Sequence, residues 1–223
     1  MKFLKAALAG SLLLLILGFA SNASASPVVI NLTTNNIGVA GSVGTITITD
    51  IAGGIQVSYA MNSGFGVKLQ GGDLEFNTSY SGSIGAGNVA FTSITPLGGS
   101  AASNPSMTFA FGNGNAGPYH PYSLDISNLK CSSCANGTVV AQDLTLTITG
   151  VTGLDAANFL TVNSNGYFAD LHFFCSTCAP TGGSNTGFAT GTPTSPTPEP
   201  ASLLLLGTGL LAMGGVIRRK LGA

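Results

Sequence analysis

The chain has 223 residues, of which 7% are charged and 44% hydrophobic, and its formal net charge is −1. The charged fraction lies far below the ~25% that is usual for soluble domains. Between Ser26 and Pro196 two lysines, no arginine and seven acidic residues give a net charge of −5. This stretch is long enough for one domain. Its lack of basic residues argues against nucleic acid as a partner, because phosphates are bound by Lys and Arg.

The first residues have the organisation of a secretory signal peptide. Lys2 and Lys5 precede an apolar stretch, and Ala23 and Ala25 supply the small residues that signal peptidase requires. The apolar stretch is too short to span a bilayer comfortably. We therefore predict that residues 1–25 are a signal peptide and that signal peptidase cleaves after Ala25.

Residues 26–178 carry the pattern of antiparallel strands. Isoleucine alternates with threonine in Thr45–Thr49, and Leu or Ile alternates with threonine in Leu144–Thr149. A period of two is typical of half-buried strands. Glycine-rich turns separate eight less regular strand candidates. These are Val28–Leu32, Gly54–Ala60, Gly66–Gln70, Asp73–Tyr80, Asn88–Ile94, Ser106–Phe111, Tyr122–Leu129 and Phe168–Phe174.

Ten short strands with glycine-rich turns predict an all-β fold. The architecture that this pattern favours is an antiparallel β-sandwich over 26–178, either jelly-roll-like or immunoglobulin-like. One helical turn is predicted over Leu154–Phe159.

Four cysteines form two Cys-x-x-Cys pairs, Cys131 with Cys134 and Cys175 with Cys178. In a cytosolic chain such pairs would suggest zinc, but their separation exceeds the ~15–20 residues of zinc ribbons. An exported chain meets oxidising conditions, so we predict disulfides and no metal. We favour the two local pairings because they need no assumption about the fold. Cross-bridging between the pairs remains an alternative.

Asp73 and Glu75 lie two residues apart on a predicted strand, so both side chains point to one face. Such a pair can bind Ca²⁺ or act in acid–base chemistry. No second pair of ligands follows nearby in the sequence, and we predict a solvated strand face.

An aromatic segment, Pro118–Tyr122, follows a Gly/Asn loop. Its rings could stack on sugars, although tyrosines in such turns more often pack against their own domain. The chain has only two histidines and lacks nucleophile-elbow, zinc-protease and phosphate-loop motifs. We therefore predict no catalytic residues, no cofactor and no enzymatic activity.

The apolar pattern is lost after Cys178, and the prolines and threonines of 192–198 favour extended backbone. We predict a linker over 179–197. An apolar span then runs over 201–217, about 25 Å as a helix, and basic residues follow it. Because basic flanks resist translocation, both outer ends are expected in the cytoplasm and the intervening chain is expected to be exported.

Pro198, Glu199 and Pro200, the apolar span, and Arg218 with Arg219 resemble the PEP-CTERM sorting signal of Gram-negative bacteria. The same kind of segment is also labelled an ice-binding protein C-terminal domain. The resemblance covers residues 198–223 with a transmembrane segment at 201–217. It implies recognition by an exosortase, a membrane-embedded cysteine transpeptidase, with cutting near the Pro-Glu-Pro sequence. It also implies frequent association with exopolysaccharide or biofilm matrix.

Together these features predict an exported protein of the cell surface or extracellular matrix, anchored transiently in the inner membrane. Its expected role is structural or adhesive in exopolysaccharide or biofilm, after processing by signal peptidase and an exosortase. Two alternatives stay open at this point. One is a carbohydrate- or calcium-binding module, and the other is a secreted hydrolase.

Overall fold

The structure is a computed structural model that describes residues 27–114, 117–132, 140–178, 185–194 and 207–209. Pro27–Pro196 form one compact unit, and a second unit combines Met1–Ser26 with Thr197–Ala223. The described part contains twelve strands. They are β1 Val28–Asn35, β2 Gly44–Ile51, β3 Gly54–Met61, β4 Phe65–Lys68, β5 Leu74–Phe76, β6 Val89–Pro96, β7 Ala102–Ser103, β8 Met107–Gly114, β9 Tyr122–Cys131, β10 Val140–Thr149, β11 Ala169–Cys175 and β12 Thr186–Thr194.

The alternating segments fold as their pattern predicts. In β2 the side chains of Ile46 and Ile48 are buried and the threonines are only partly covered, and β10 repeats this alternation. The β2–β3 turn uses Gly53 at a φ of +78°, a conformation that glycine adopts without steric cost. Each of the ten predicted strands overlaps an observed one, and the predicted helical turn is present as a 3₁₀ helix at Ala156–Phe159. The all-β, antiparallel part of the prediction is confirmed.

All strands of the described residues belong to one antiparallel sheet in the order β7-β6-β10-β3-β2-β1-β12-β11-β5-β9-β8. Strand β4 lies off this path and pairs with both β10 and β11. The hydrogen-bonded ring β10-β3-β2-β1-β12-β11-β4 therefore closes on itself as an antiparallel barrel. The predicted sandwich, jelly-roll-like or immunoglobulin-like, is not confirmed. The physical reason is that four residues of β4 join two parts of the sheet that a sandwich would keep separate.

Strand β12 departs from the linker predicted over 179–197. It pairs with β1 on one edge and with β11 on the other, and Ala189 is fully buried between them. Gly191 allows the close approach of β1, because a Cβ at this position would fall onto the Asn31 carbonyl oxygen. The segment that the sequence assigns to a spacer therefore supplies the last strand of the barrel.

The ends of the chain lie largely outside the described residues. This holds for the signal peptide with Ala23 and Ala25, for the Pro-Glu-Pro sequence, and for the predicted helix over 201–217 apart from 207–209, which are helical. Within the described ranges, no helix combines the length and the apolar character that crossing a membrane requires.

Candidate functional site

A row of acidic side chains crosses three neighbouring strands on one face of the sheet. Glu75 on β5 is directly opposite Asp125 on β9 and also directly opposite Asp170 on β11. The row continues to Thr190 on β12, which is paired with Asp170. Side chains directly opposite each other on antiparallel strands have Cβ atoms about 4.5–5.5 Å apart. We call these four residues the carboxyl row.

The opposite face of the same strands explains why the row is buried. Leu74, Phe76, Leu124 and Leu171 alternate with the acids and pack into the barrel core. Period two then places the acids on the other face, where loops cover them. Glu75 and Asp170 are both fully buried, and Asp125 is 8% exposed.

Burial changes the protonation of the row. Loss of solvation, followed by the charge of Glu75 directly opposite, raises the pKa of Asp170 to about 10. All the charged groups that act on Asp170 are acids, and Asp73 and Asp125 raise its pKa further. Burial likewise raises the pKa of Asp125, against a hydrogen bond from Ser127 that lowers it. Asp170 is therefore a neutral acid at pH 7.

Tyr119 and Tyr122 lie within electrostatic reach of Asp170 and form part of its cover. Burial is the main cause that raises the pKa of Tyr122, and burial with Tyr167 and Asp170 nearby raises that of Tyr119. The Tyr119 ring packs edge-on against Tyr167 at 4.9 Å between centroids.

Asn163, which is 8% exposed, connects the two loops that cover the carboxyl row. Its Nδ2 donates to the Tyr119 carbonyl oxygen at 2.7 Å, and its Oδ1 accepts from the backbone N–H groups of Asn165 and Tyr167. One amide side chain thus orders its own loop and holds the neighbouring loop against the sheet. Gly117 closes the cover, because a Cβ there would collide with the Phe188 ring.

The edge of the carboxyl row carries a His–Asp contact. His172 Nδ1 lies 3.8 Å from Asp73 Oδ2, and the imidazole stacks on Phe188 at 4.5 Å between ring centroids. The His172 backbone N–H also donates to the Asp73 carbonyl oxygen at 2.9 Å. Asp73 is thereby fixed at the rim of the row.

A separate cleft of about 330 Å³ opens beside the far end of β5. Its walls come from the segment Thr78–Ile84, from β8 around Phe111–Asn113 and from β9 at Ser123 and Leu124. None of these residues is charged. The carboxyl row does not line this cleft, although Gly112 in its wall is paired with Asp125.

The structure corrects one expectation about these residues. Asp73 and Glu75 share a face, as predicted, but this face is covered by loops and not solvated, since Glu75 has no exposure to solvent. Tyr119 and Tyr122 pack against their own domain, at 8% and 3% exposure, and do not present free rings to a sugar. Among the residues that the structure describes, no group of three or more His, Cys, Asp or Glu side chains could hold a metal ion.

The cysteine prediction is confirmed for one local pair, because Cys175 is bonded to Cys178. Cys131 is also disulfide-bonded. The bond between Cys175 and Cys178 excludes a link from Cys131 to either of them, and Cys134 lies outside the described residues.

Sequence reasoning missed Asp125, Asp170 and Asn163 as members of this site. The available signal was that each acid is flanked by apolar residues, as in Leu-Asp-Ile for Asp125 and Ala-Asp-Leu for Asp170. An acid flanked by core residues on both sides is on the opposite face, but only strand pairing shows that three such acids meet.

Comparison with known families identifies the C-terminal segment. Residues 196–220 match the PEP-CTERM protein-sorting motif. The matched range includes Pro198, Glu199, Pro200, Arg218 and Arg219. No curated protein and no solved structure matches the chain. The motif implies processing by an exosortase, with export and surface sorting in a Gram-negative bacterium.

Proposed function

We propose that the chain is a non-enzymatic surface protein whose barrel is delivered by exosortase and acts structurally or adhesively in an exopolysaccharide matrix. Signal peptidase removes residues 1–25, and the apolar span over 201–217 holds the chain transiently in the inner membrane. Exosortase then cuts near Pro198–Pro200. The mature product in this scheme is the barrel with a short C-terminal extension.

The observation that carries this proposal is the position of the sorting motif relative to the last strand. Strand β12 ends at Thr194, and the motif match begins at residue 196. A cut near Pro198–Pro200 therefore leaves β12 whole, with both of its pairings to β1 and β11. Since a barrel missing one strand would expose unpaired backbone groups, this placement suits a folded cargo that must survive the cut.

The composition of the barrel supports a matrix role. Two lysines and seven acids among 26–196 leave a surface made mainly of hydroxyl, amide and backbone groups. Such a surface hydrogen-bonds to hydrated neutral polymers and gives polyanions little to bind electrostatically. The alternative of a calcium-binding module finds less support, because the described residues include no group of three or more His, Cys, Asp or Glu side chains that could hold a metal ion.

The processing step is tested on the C-terminus of the exported protein. Mass spectrometry in a host with an exosortase should find a mature chain that ends near residue 200 and lacks Arg218. Replacement of Pro198, Glu199 and Pro200 by alanine should retain the C-terminal peptide and leave the chain in the membrane fraction. A control change outside the motif, Thr192→Ala on an exposed position of β12, should be processed normally.

The matrix role is tested in the same host by deletion of the gene. We expect less polysaccharide retained in the biofilm, restored by the full-length chain and not by the alanine-substituted one. An exported chain that keeps Arg218–Ala223 would refute exosortase processing. Unchanged matrix in the deletion strain would refute the structural role while leaving processing intact.

A further inference from the structure

The cleft beside β5 has the shape of a small-molecule site. Its volume, about 330 Å³, lies at the lower end of the ~300–1,000 Å³ typical of ligand pockets. No residue of the carboxyl row lines it. It is formed where the chain leaves β5 and passes in front of β8 and β9, so these two strands of the sheet supply one of its walls.

The lining of the cleft determines which chemistry it can take. Two aromatic rings, those of Tyr80 and Phe111, line it together with hydroxyl and amide side chains. The hydroxyl and amide groups belong to Thr78, Ser83, Asn113 and Ser123. No Lys, Arg, Asp, Glu or His contributes to the wall, so the site offers no compensation for a charged ligand. Rings beside uncharged donors and acceptors match a neutral sugar, which has apolar C–H faces and hydroxyl edges.

The cleft is preorganised, because hydrogen bonds fix its walls to β9 and to the loop that follows β10. The Tyr80 hydroxyl donates to the Thr152 carbonyl oxygen at 3.0 Å, and the Tyr80 backbone N–H donates to Thr78 Oγ1 at 3.1 Å. The Thr78 backbone N–H donates to Ser123 Oγ at 3.0 Å, which ties the segment after β5 to β9. Phe111 packs partly against the barrel core. A preformed wall lowers the entropic cost of binding.

We infer that this cleft is a binding subsite for a neutral saccharide unit of the polymer that the protein contacts. The inference rests on the proposed matrix function and gives it a location and a ligand class. The rings that we expect to contact the sugar are those of Tyr80 and Phe111, which are only partly buried. Tyr119 and Tyr122 are buried and do not take part.

Glycine positions make a sharp test possible. Gly112 lines the cleft, and a Cβ built on it meets no other atom within 4 Å. Its φ lies outside the left-handed region, so Gly112→Leu should fold and adds an aliphatic side chain between the wall residues Phe111 and Asn113. Gly87 has equally open space and lies outside the cleft. Gly87→Leu is therefore the matched control.

The assay is affinity electrophoresis of the full-length chain through gels that contain one defined polymer. The neutral probes are a galactomannan and a mixed-linkage glucan, and alginate is the anionic comparison. We expect retardation by at least one neutral polymer and none by alginate. Gly112→Leu and Phe111→Leu should weaken binding at least about tenfold. Phe111→Tyr and Gly87→Leu should bind as the wild type does.

Three results would overturn the inference: no retardation by either neutral polymer, retardation by alginate, or equal binding by wild type and Gly112→Leu. If Gly112→Leu shows a lowered melting temperature, Asn113→Ala replaces it, since Asn113 is an exposed residue of the same wall. These results are independent of sorting. A protein that reaches the surface and is trimmed correctly, yet binds no neutral polymer, would refute the cleft and leave exosortase processing standing.

Discussion

Replacing Asp170 by asparagine should change how the stability of the barrel depends on pH. The side chain is fully buried, lies opposite Glu75 and is paired with Thr190. Its pKa rises from an ordinary 3.8 to about 10, chiefly because of burial and then because of Glu75. Besides Glu75, the titratable groups that interact with it electrostatically are Asp73, Asp125, Tyr59, Tyr119 and Tyr122.

The sign of this pH dependence follows from the number of protons that the folded and the unfolded state bind. Between about pH 4 and pH 10 the folded state holds a proton on Asp170 that the unfolded chain has released. The unfolded state therefore binds fewer protons, and the free energy of unfolding falls as pH rises. One proton changes it by about 1.4 kcal/mol per pH unit, or about 4 kcal/mol between pH 5 and pH 8. The raised pKa of Asp125 acts in the same direction.

Asparagine has the size of aspartic acid and keeps a hydrogen-bond donor, but it cannot ionise. The free energy of unfolding of Asp170→Asn should be close to the wild-type value near pH 5 and should change much less with pH. At pH 8 the variant should therefore be more stable than the wild type. The matched control is Asp143→Asn, which changes an exposed acid on β10 and should keep the wild-type slope.

Urea unfolding of the full-length chain at several pH values, followed by circular dichroism, gives the required free energies. The chain contains no tryptophan, so tyrosine emission supplies a second probe. Wild-type stability that stays constant or increases between pH 5 and pH 8 would refute a neutral, buried Asp170. So would an Asp170→Asn slope equal to that of the wild type.

Two further predictions concern the barrel itself. Gly191→Ala should lower the free energy of unfolding by about 2–3 kcal/mol, because the new methyl group would meet the Asn31 carbonyl oxygen between β12 and β1. The control Gly112→Ala, which adds a methyl group in open space, should leave the free energy of unfolding unchanged. Equal urea midpoints for the two variants would contradict the close pairing of β12 with β1. Replacing both Cys175 and Cys178 by serine should cost about 2 kcal/mol, since the bond closes a loop of only a few residues. Calorimetry of the Cys175, Cys178 double variant checks this, and an unchanged melting temperature would mean that the local disulfide contributes nothing.

Local patterns predicted the strands whose side chains alternate in polarity. The threonine and isoleucine sequence of β2 has one face in the core and one outside, and this alternation can be recognised in the sequence without knowing the partner strand. The local disulfide between Cys175 and Cys178 could be predicted for a similar reason, because proximity in the chain guaranteed proximity in space.

Strand β12 was missed because its residues do not alternate in this way. Its buried positions include Gly187, Ala189 and Gly191, which leave room for neighbouring strands and carry almost no hydrophobic signal. A segment of glycine, threonine and proline resembles a spacer until its partners are known. Closure of the sheet by β4 was missed likewise, since one short strand paired with two distant ones has no local signature.

The carboxyl row could not be predicted from the sequence because it depends on register. Glu75 meets Asp125 and Asp170 only if β5 pairs with β9 and β11 at these positions. A shift of one residue would place each acid beside a core side chain instead. The two partners lie far from Glu75 in the chain, so no spacing rule links them.

The double pairing of β12 also determines how the protein would respond to tension. A surface protein held at its C-terminus and dragged by a moving polymer receives the force at the end of this strand. Since β1 and β11 flank β12 on both edges, a pull along the strand loads its backbone hydrogen bonds in parallel, in shear, instead of peeling them one at a time. A protein attached through its C-terminus would thereby be held at the mechanically strong end of the barrel.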